Sequence, residues 1–110
     1  MKERPQPGEV WFVDFGYDAK PRHCLVVSTS DSEVRLAIAS VVQITSQYGR
    51  TAYEVPLPRV PWLREQSYVN AQSVQPVKWI EFQRKAGQFD NSVTTLVRLA
   101  LAKWLALPQK

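Results

Sequence analysis

Behind Pro7 and Gly8, apolar side chains recur with a two-residue period that sets Trp11, Val13 and Phe15 on one side and Val10, Phe12 and Asp14 on the other. A strand over 10–15 is expected. After a loop over 16–22, the unbroken apolar run Cys24-Leu25-Val26-Val27 has the character of a strand covered on both faces. The polar cluster Ser28 to Glu33 then favours a turn and predicts a hairpin into a long strand over 34–44, bent near Ala39-Ser40, where Val34, Leu36 and Ile38 alternate before Val41-Val42. A fourth strand is expected over 51–57. Pro56, Pro58 and Pro61 make 58–66 a crossing segment, because proline neither donates to a ladder nor fits a helix interior.

Further along, the pattern predicts a fifth strand over 67–74, a helical turn over 77–82 and a short strand over 85–88. The end of the chain reads as helix. Asp90 or Asn91 can cap it, Val93, Leu96, Val97, Ala100, Trp104 and Leu107 recur at helical spacing, and Leu107-Pro108 stops it. Leu99 and Leu101 lie outside that stripe, so a helix covered on more than one side, by the sheet or by a second subunit, is expected, with Leu99, Leu101 and Trp104 either packing the core or serving as dimer contacts. Five to six short strands and one C-terminal helix give a mainly β fold, a strongly curved sheet or partly open barrel, in a single domain over 1–110.

Composition narrows the function classes. The 110 residues are 45% hydrophobic and 22% charged, which suits one globular core of a size that buries roughly two thirds of its unfolded surface. The single cysteine, Cys24, points to a reducing, cytoplasmic setting, and its apolar neighbours mark it as a buried thiol. No Cys/His pattern for a metal is present, and no cofactor motif. MKERPQPGEV has charge without an apolar run behind it, and Leu96 to Leu107 is short and interrupted by charge, so no signal peptide and no membrane association are expected. Net charge is +4, but residues 1–66 hold eight basic and eight acidic side chains while 67–110 hold six and two. The surplus is C-terminal, where Lys78, Arg84 and Lys85 could meet an acidic partner or could simply be solvated.

Candidate chemistry is sparse. No serine elbow, phosphate-binding glycine loop or zinc-protease motif occurs, and His23 is the only histidine. Arginine, threonine, serine, glutamine and tyrosine suffice for one reaction class, RNA cleavage by the adjacent 2′-hydroxyl, in which the protein positions the strand and stabilises the phosphate. A hairpin closed by Ser28 to Glu33 sets Arg22 and Thr45 at one end of the sheet, where they could share a phosphate or serve as a loop charge and a strand-end cap. Trp11, Tyr17, Tyr48 and Trp62 could stack bases or pack the sheet.

PGEVWFVDFG, RHCLVVS, VVQITSQYG and EVPL, followed by an amphipathic helix, resemble in order and distance the MazF/PemK toxins of type II toxin–antitoxin modules, across essentially the whole chain. The resemblance implies an SH3-like barrel with a C-terminal helix, usually a homodimer. It further implies a metal-independent, sequence-selective endoribonuclease on single-stranded RNA, leaving a 2′,3′-cyclic phosphate and inhibited by a cognate antitoxin. By the same resemblance Arg22 and Thr45 are catalytic, with Arg22 moving a proton and stabilising the phosphate and Thr45 donating to it. Asp14 and His23 stand as supporting residues, and Lys20, Ser46, Gln47 and Gln72 as RNA-binding ones. The chain departs from the family pattern at Arg22-His23, where R-P is common, in a shorter loop over 16–21, and at Ala71-Gln72-Ser73-Val74, where an acid and an arginine are replaced. A non-catalytic relative that binds RNA or a peptide is the alternative.

Overall fold

The computed structural model describes residues 4–16 and 20–108, and these form one antiparallel sheet with a C-terminal helix. The strands are β1 (Glu9–Val13), β2 (Arg22–Val26), β3 (Ile38–Thr45), β4 (Glu54–Pro56), β5 (Tyr68–Asn70), β6 (Gln75–Lys78) and β7 (Phe82–Gln88), and the helix is α1 (Asn91–Trp104). Seven strands are present where five to six were expected, because the segment read as one strand over 67–74 and the turn beyond it contribute β5 and β6 separately. The order is β4-β5-β3-β2-β1-β7, with β6 also on β3, so the sheet is strongly populated at one strand and, among the described residues, no ladder joins β4 to β7. The mainly β architecture with a C-terminal helix matches the expectation of an open, curved barrel-like sheet.

β3 carries this arrangement. One edge pairs with β2; the other is divided, Ile38 to Val41 taking β6 and Ile44-Thr45 taking β5. Because side chains alternate across a strand, the sheet feeds two separate cores. Val10, Leu25, Val42, Val55 and Val69 meet Val93, Val97, Ala100 and Leu101 of α1 on one face. Trp11, Val13, Cys24, Val26, Ala39, Val41, Val77 and Phe82 pack together on the other, with Trp11 and Phe82 in edge-to-face contact.

Local hydrogen bonding explains where elements depart from the pattern. The long third strand begins at Ile38 rather than 34, and Leu36 is 65% exposed instead of alternating into the core. Ser28 Oγ accepts the Ser40 amide, the Asp31 carboxylate accepts the Glu33 amide, and Arg4 donates to the carbonyls of Ser30 and Asp31, so the segment is satisfied as a loop. Similarly, β5 ends at Asn70 because the Asn70 side chain accepts from the Gln72 amide and the Ser73 hydroxyl donates to the Asn70 carbonyl, winding Ala71–Ser73 into a 3-10 turn. Trp79–Glu81 forms a second such turn within the stretch read as helical.

Asp90 caps α1, its Oδ1 accepting the amides of Ser92 and Val93. The helix stops earlier than Leu107-Pro108 would require. Leu107 N–H returns to the Ala102 carbonyl and Ala106 N–H to that of Lys103, a closure that holds Ala106 at φ 57°. The buried stripe is also rotated from the expected one: Leu101 is in the core, whereas Leu96, Leu99 and Trp104 are at least 40% exposed. Of the two readings for Leu101, the core is the one observed. Replacing Ala106 by glycine removes the left-handed strain and should raise unfolding stability by about 1 kcal/mol. Equilibrium denaturation checks this. The opposite sign is expected for Gly87→Ala, whose new Cβ would lie 2.3 Å from the Trp62 ring, a clash costing roughly 1–3 kcal/mol.

Candidate functional site

The register of β2 on β3 decides what the sheet brings together. Cys24 pairs with Gln43, so two residues back along β2 and two forward along β3 places Arg22 level with Thr45. Thr45 in turn pairs with Tyr68 of β5, and Tyr68 with Pro56 of β4. Continuing the same count, Cys24, Gln43, Asn70 and Glu54 form the next row. Paired residues share a face, so Arg22, Thr45, Tyr68, Asn70 and Glu54 belong to one side of the sheet.

The loop that follows Thr45 is held in a defined shape. Thr45 Oγ1 accepts the Gln47 amide at 3.1 Å, which leaves the hydroxyl proton available to an outside acceptor. Glu54 gathers the rest of the loop: its carboxylate accepts the Gly49 amide at 2.7 Å, the Thr51 amide at 2.9 Å and the Thr51 hydroxyl at 2.8 Å. These bonds, that from Gly49 first, hold the Glu54 carboxyl below its ordinary range. Tyr48 lies flat on Tyr68, ring centroids 4.3 Å apart and 8° from parallel, and the Arg50 guanidinium sits 5.5 Å from the Tyr48 ring. Thr45, Gln47, Tyr48, Gly49, Glu54 and Asn70 line a cavity of about 340 Å³.

The other candidates are distributed around this cluster. Arg22 and Lys20 are exposed at the start of β2, and Ser46 is exposed beside Thr45. Asp14 anchors the start of the preceding loop, its Oδ1 accepting the Gly16 amide at 2.9 Å while its own amide donates to Glu81. Gln72 is exposed on the 3-10 turn, and its amide donates to the side chain of the cavity residue Asn70. His23 is different. It follows Arg22 by one residue and so faces the other side, where it packs on Phe12 at 4.1 Å, with Arg84 over the same ring. Burial, and secondly the Arg84 charge, lower its pKa.

Of the four aromatic candidates, Trp11 is buried and donates its indole N–H to Glu9, Trp62 packs on Phe89, and Tyr17 lies outside the described residues. Tyr48 is 36% exposed and lines the cavity. Cys24 is fully buried and its thiol is pushed up to about 12 by desolvation, so it is no nucleophile at neutral pH. Lys85 pairs with Glu9 at 3.1 Å and Lys78 is exposed. Among the described residues no group of three His, Cys, Asp or Glu is arranged to hold a metal ion, and no helix is long and apolar enough to cross a membrane.

Residues 6–105 match the family of PemK-like, MazF-like toxins of type II toxin–antitoxin systems. The chain belongs to this toxin family. Solved structures share the fold at low identity. An endoribonuclease in complex with its cognate antitoxin from a mycobacterial species is 24% identical, with a TM-score of 0.83 over 96% of this chain and 99% of that one. Mycobacterium tuberculosis toxin MazF-mt6 is 21% identical, TM-score 0.79, over 92% and 99%. A MazE–MazF structure from Deinococcus radiodurans gives 20%, 0.80, 97% and 100%. No curated protein sequence matches the chain.

Within this MazF-like toxin, Glu54, Tyr68 and Asn70 escaped the sequence reading. Glu54 and Tyr68 each fall on a short strand where only pairing register shows what they face; the signal available was the position of Glu54 at the head of EVPL, close to the glycine turn at Gly49. His23 offers a direct check of the face assignment. Its imidazole should titrate below the usual value near 6.5, and Arg84→Ala should move the midpoint part of the way back, read by NMR. With the folded pKa depressed, the unfolded chain takes up the proton first, so stability attributable to this group is intact above the unfolded value and declines as pH falls toward the folded one. Cys24 should react with thiol reagents only on unfolding.

Proposed function

We propose that this MazF-like toxin is a metal-independent, sequence-selective endoribonuclease on single-stranded RNA, with Arg22 and Thr45 as its catalytic pair. The observation that supports it is the register that sets Arg22 level with Thr45 on one face of neighbouring strands. An arginine can neutralise two phosphate oxygens through its forked N–H groups, and Thr45, already accepting from Gln47, has a proton to donate to a third contact. The strand's own 2′-oxygen attacks phosphorus, the bond to the 5′-oxygen breaks, and the proton lost by the first is balanced by the one gained by the second. The products are a 2′,3′-cyclic phosphate and a 5′-hydroxyl. Arg22 takes part in that proton movement and stabilises the charge that develops, as an oxyanion hole does.

Lys20, Ser46, Gln47 and Gln72 surround this pair and are assigned to the RNA strand; Asp14 orders the loop that leads to Arg22. His23, on the opposite face, supports the position of β2 by packing on Phe12 and is given no proton-transfer role. The exposed apolar residues Leu96, Leu99 and Trp104 on α1 favour a protein contact along that helix. A structure of a relative in complex with its cognate antitoxin supports an antitoxin as one such partner, and a homodimer is the expected resting state.

Arg22→Ala and Thr45→Ala should each lower RNA cleavage by about two to three decades and abolish growth inhibition, with melting temperature unchanged. Both variants remaining toxic would remove the site assignment. Chelation should leave cleavage intact, and light scattering at micromolar concentration should give a dimer. RNA bound for hours without cleavage by the native protein would transfer the chain to a non-catalytic binding role.

A further inference from the structure

The cavity beside Thr45 has features that a phosphate site does not require. Its wall includes an aromatic ring, Tyr48, held flat by a second ring, Tyr68, at 4.3 Å and 8°. Its volume, about 340 Å³, sits at the lower end of small-ligand sites. The carboxylate of Glu54 lines it and repels a phosphate. Yet Oε2 of that carboxylate takes only the Gly49 amide, so it retains capacity to accept another N–H. Asn70 spends its Oδ1 on the Gln72 amide and keeps its NH2 group as a donor. One flat face, one acceptor and one donor are the complement of an unpaired nucleobase.

We propose that this cavity is a nucleobase subsite: a base adjoining the scissile phosphate stacks on Tyr48 and presents its hydrogen-bonding edge to Asn70 and Glu54. The proposal rests on the endoribonuclease reading above and adds to it the element that reads sequence. Arg50, exposed on the same loop, lies against the Tyr48 ring at 5.5 Å, and its long side chain gives way to the incoming base and meets the backbone phosphate. The carboxylate of Glu54 positions the subsite as well as lining it. Its three bonds to Gly49 and Thr51 fix the loop that carries Tyr48 before any RNA arrives, so little ordering entropy remains to be spent on binding.

The test uses the full chain and short RNA substrates, with an uncleavable 2′-deoxy oligonucleotide of the same sequence for affinity. Tyr48→Ala should raise KM and weaken oligonucleotide binding about 10- to 100-fold with a smaller change in kcat, while Tyr48→Trp keeps the platform and stays near the native values. Asn70→Ala should redistribute the mapped cleavage sites toward other bases. Unchanged KM, affinity and cleavage map in a folded Tyr48→Ala protein would overturn the subsite while leaving the catalytic pair standing. A Tyr48→Ala protein that cleaves normally but loses its antitoxin would reassign the cavity to the protein partner. Should the native chain cleave no RNA, the endoribonuclease reading falls by itself, and Tyr48-independent oligonucleotide binding would then take the subsite with it.

Discussion

The candidate site of this molecule is organised around one strand. β3 exchanges hydrogen bonds with β2 along one edge and divides the other between β6 and β5, so its eight residues fix three registers at once. A slip of one residue would turn Thr45 to the helix-covered side and Ile44 to the open one. The burial of Val42 and Ile44 against the α1 core prevents this, because their removal from water is lost on the wrong face. Packing on one side of the sheet thereby sets which side chains stand on the other.

Short strands beside a long one give the same economy at the loop. β4 and β5 are three residues each, too short to stand alone, yet Val55 and Val69 bury into the first core and Glu54 and Asn70 alternate outward to the cavity. The Glu54 carboxylate replaces backbone partners that the loop over 46–51 would otherwise take from water. Sheet and loop are thus joined by one carboxylate that also lines the cavity beside Thr45.

The sequence was informative wherever a pattern was long. Alternation in Trp11, Val13 and the run from Cys24 to Val27 was enough for two strands, although one core was expected and two are found, and Asp90 announced the helix it caps. Arg22 and Thr45 could be placed at one sheet end because a single hairpin links them, even though the loop between them proved longer than the polar cluster indicated. Leu36 was placed on a strand because alternation cannot show that side-chain hydrogen bonds hold the segment before Ile38 as a loop, and for Leu101 periodicity left open whether the core or a second subunit covers it. Glu54, Asn70 and Tyr68 were beyond reach because their meeting with Thr45 depends on two ladders between segments separated by a proline-rich crossing.

His23 stands on the face of the sheet opposite Arg22 and Thr45. The only imidazole of the chain packs against Phe12, which Arg84 covers, so no histidine lies on the face that holds Arg22 and Thr45. Glu54 stays ionised under mildly acidic and neutral conditions, since its bonds hold its pKa low. The charge of this face is therefore set by an arginine and a carboxylate rather than by an imidazole.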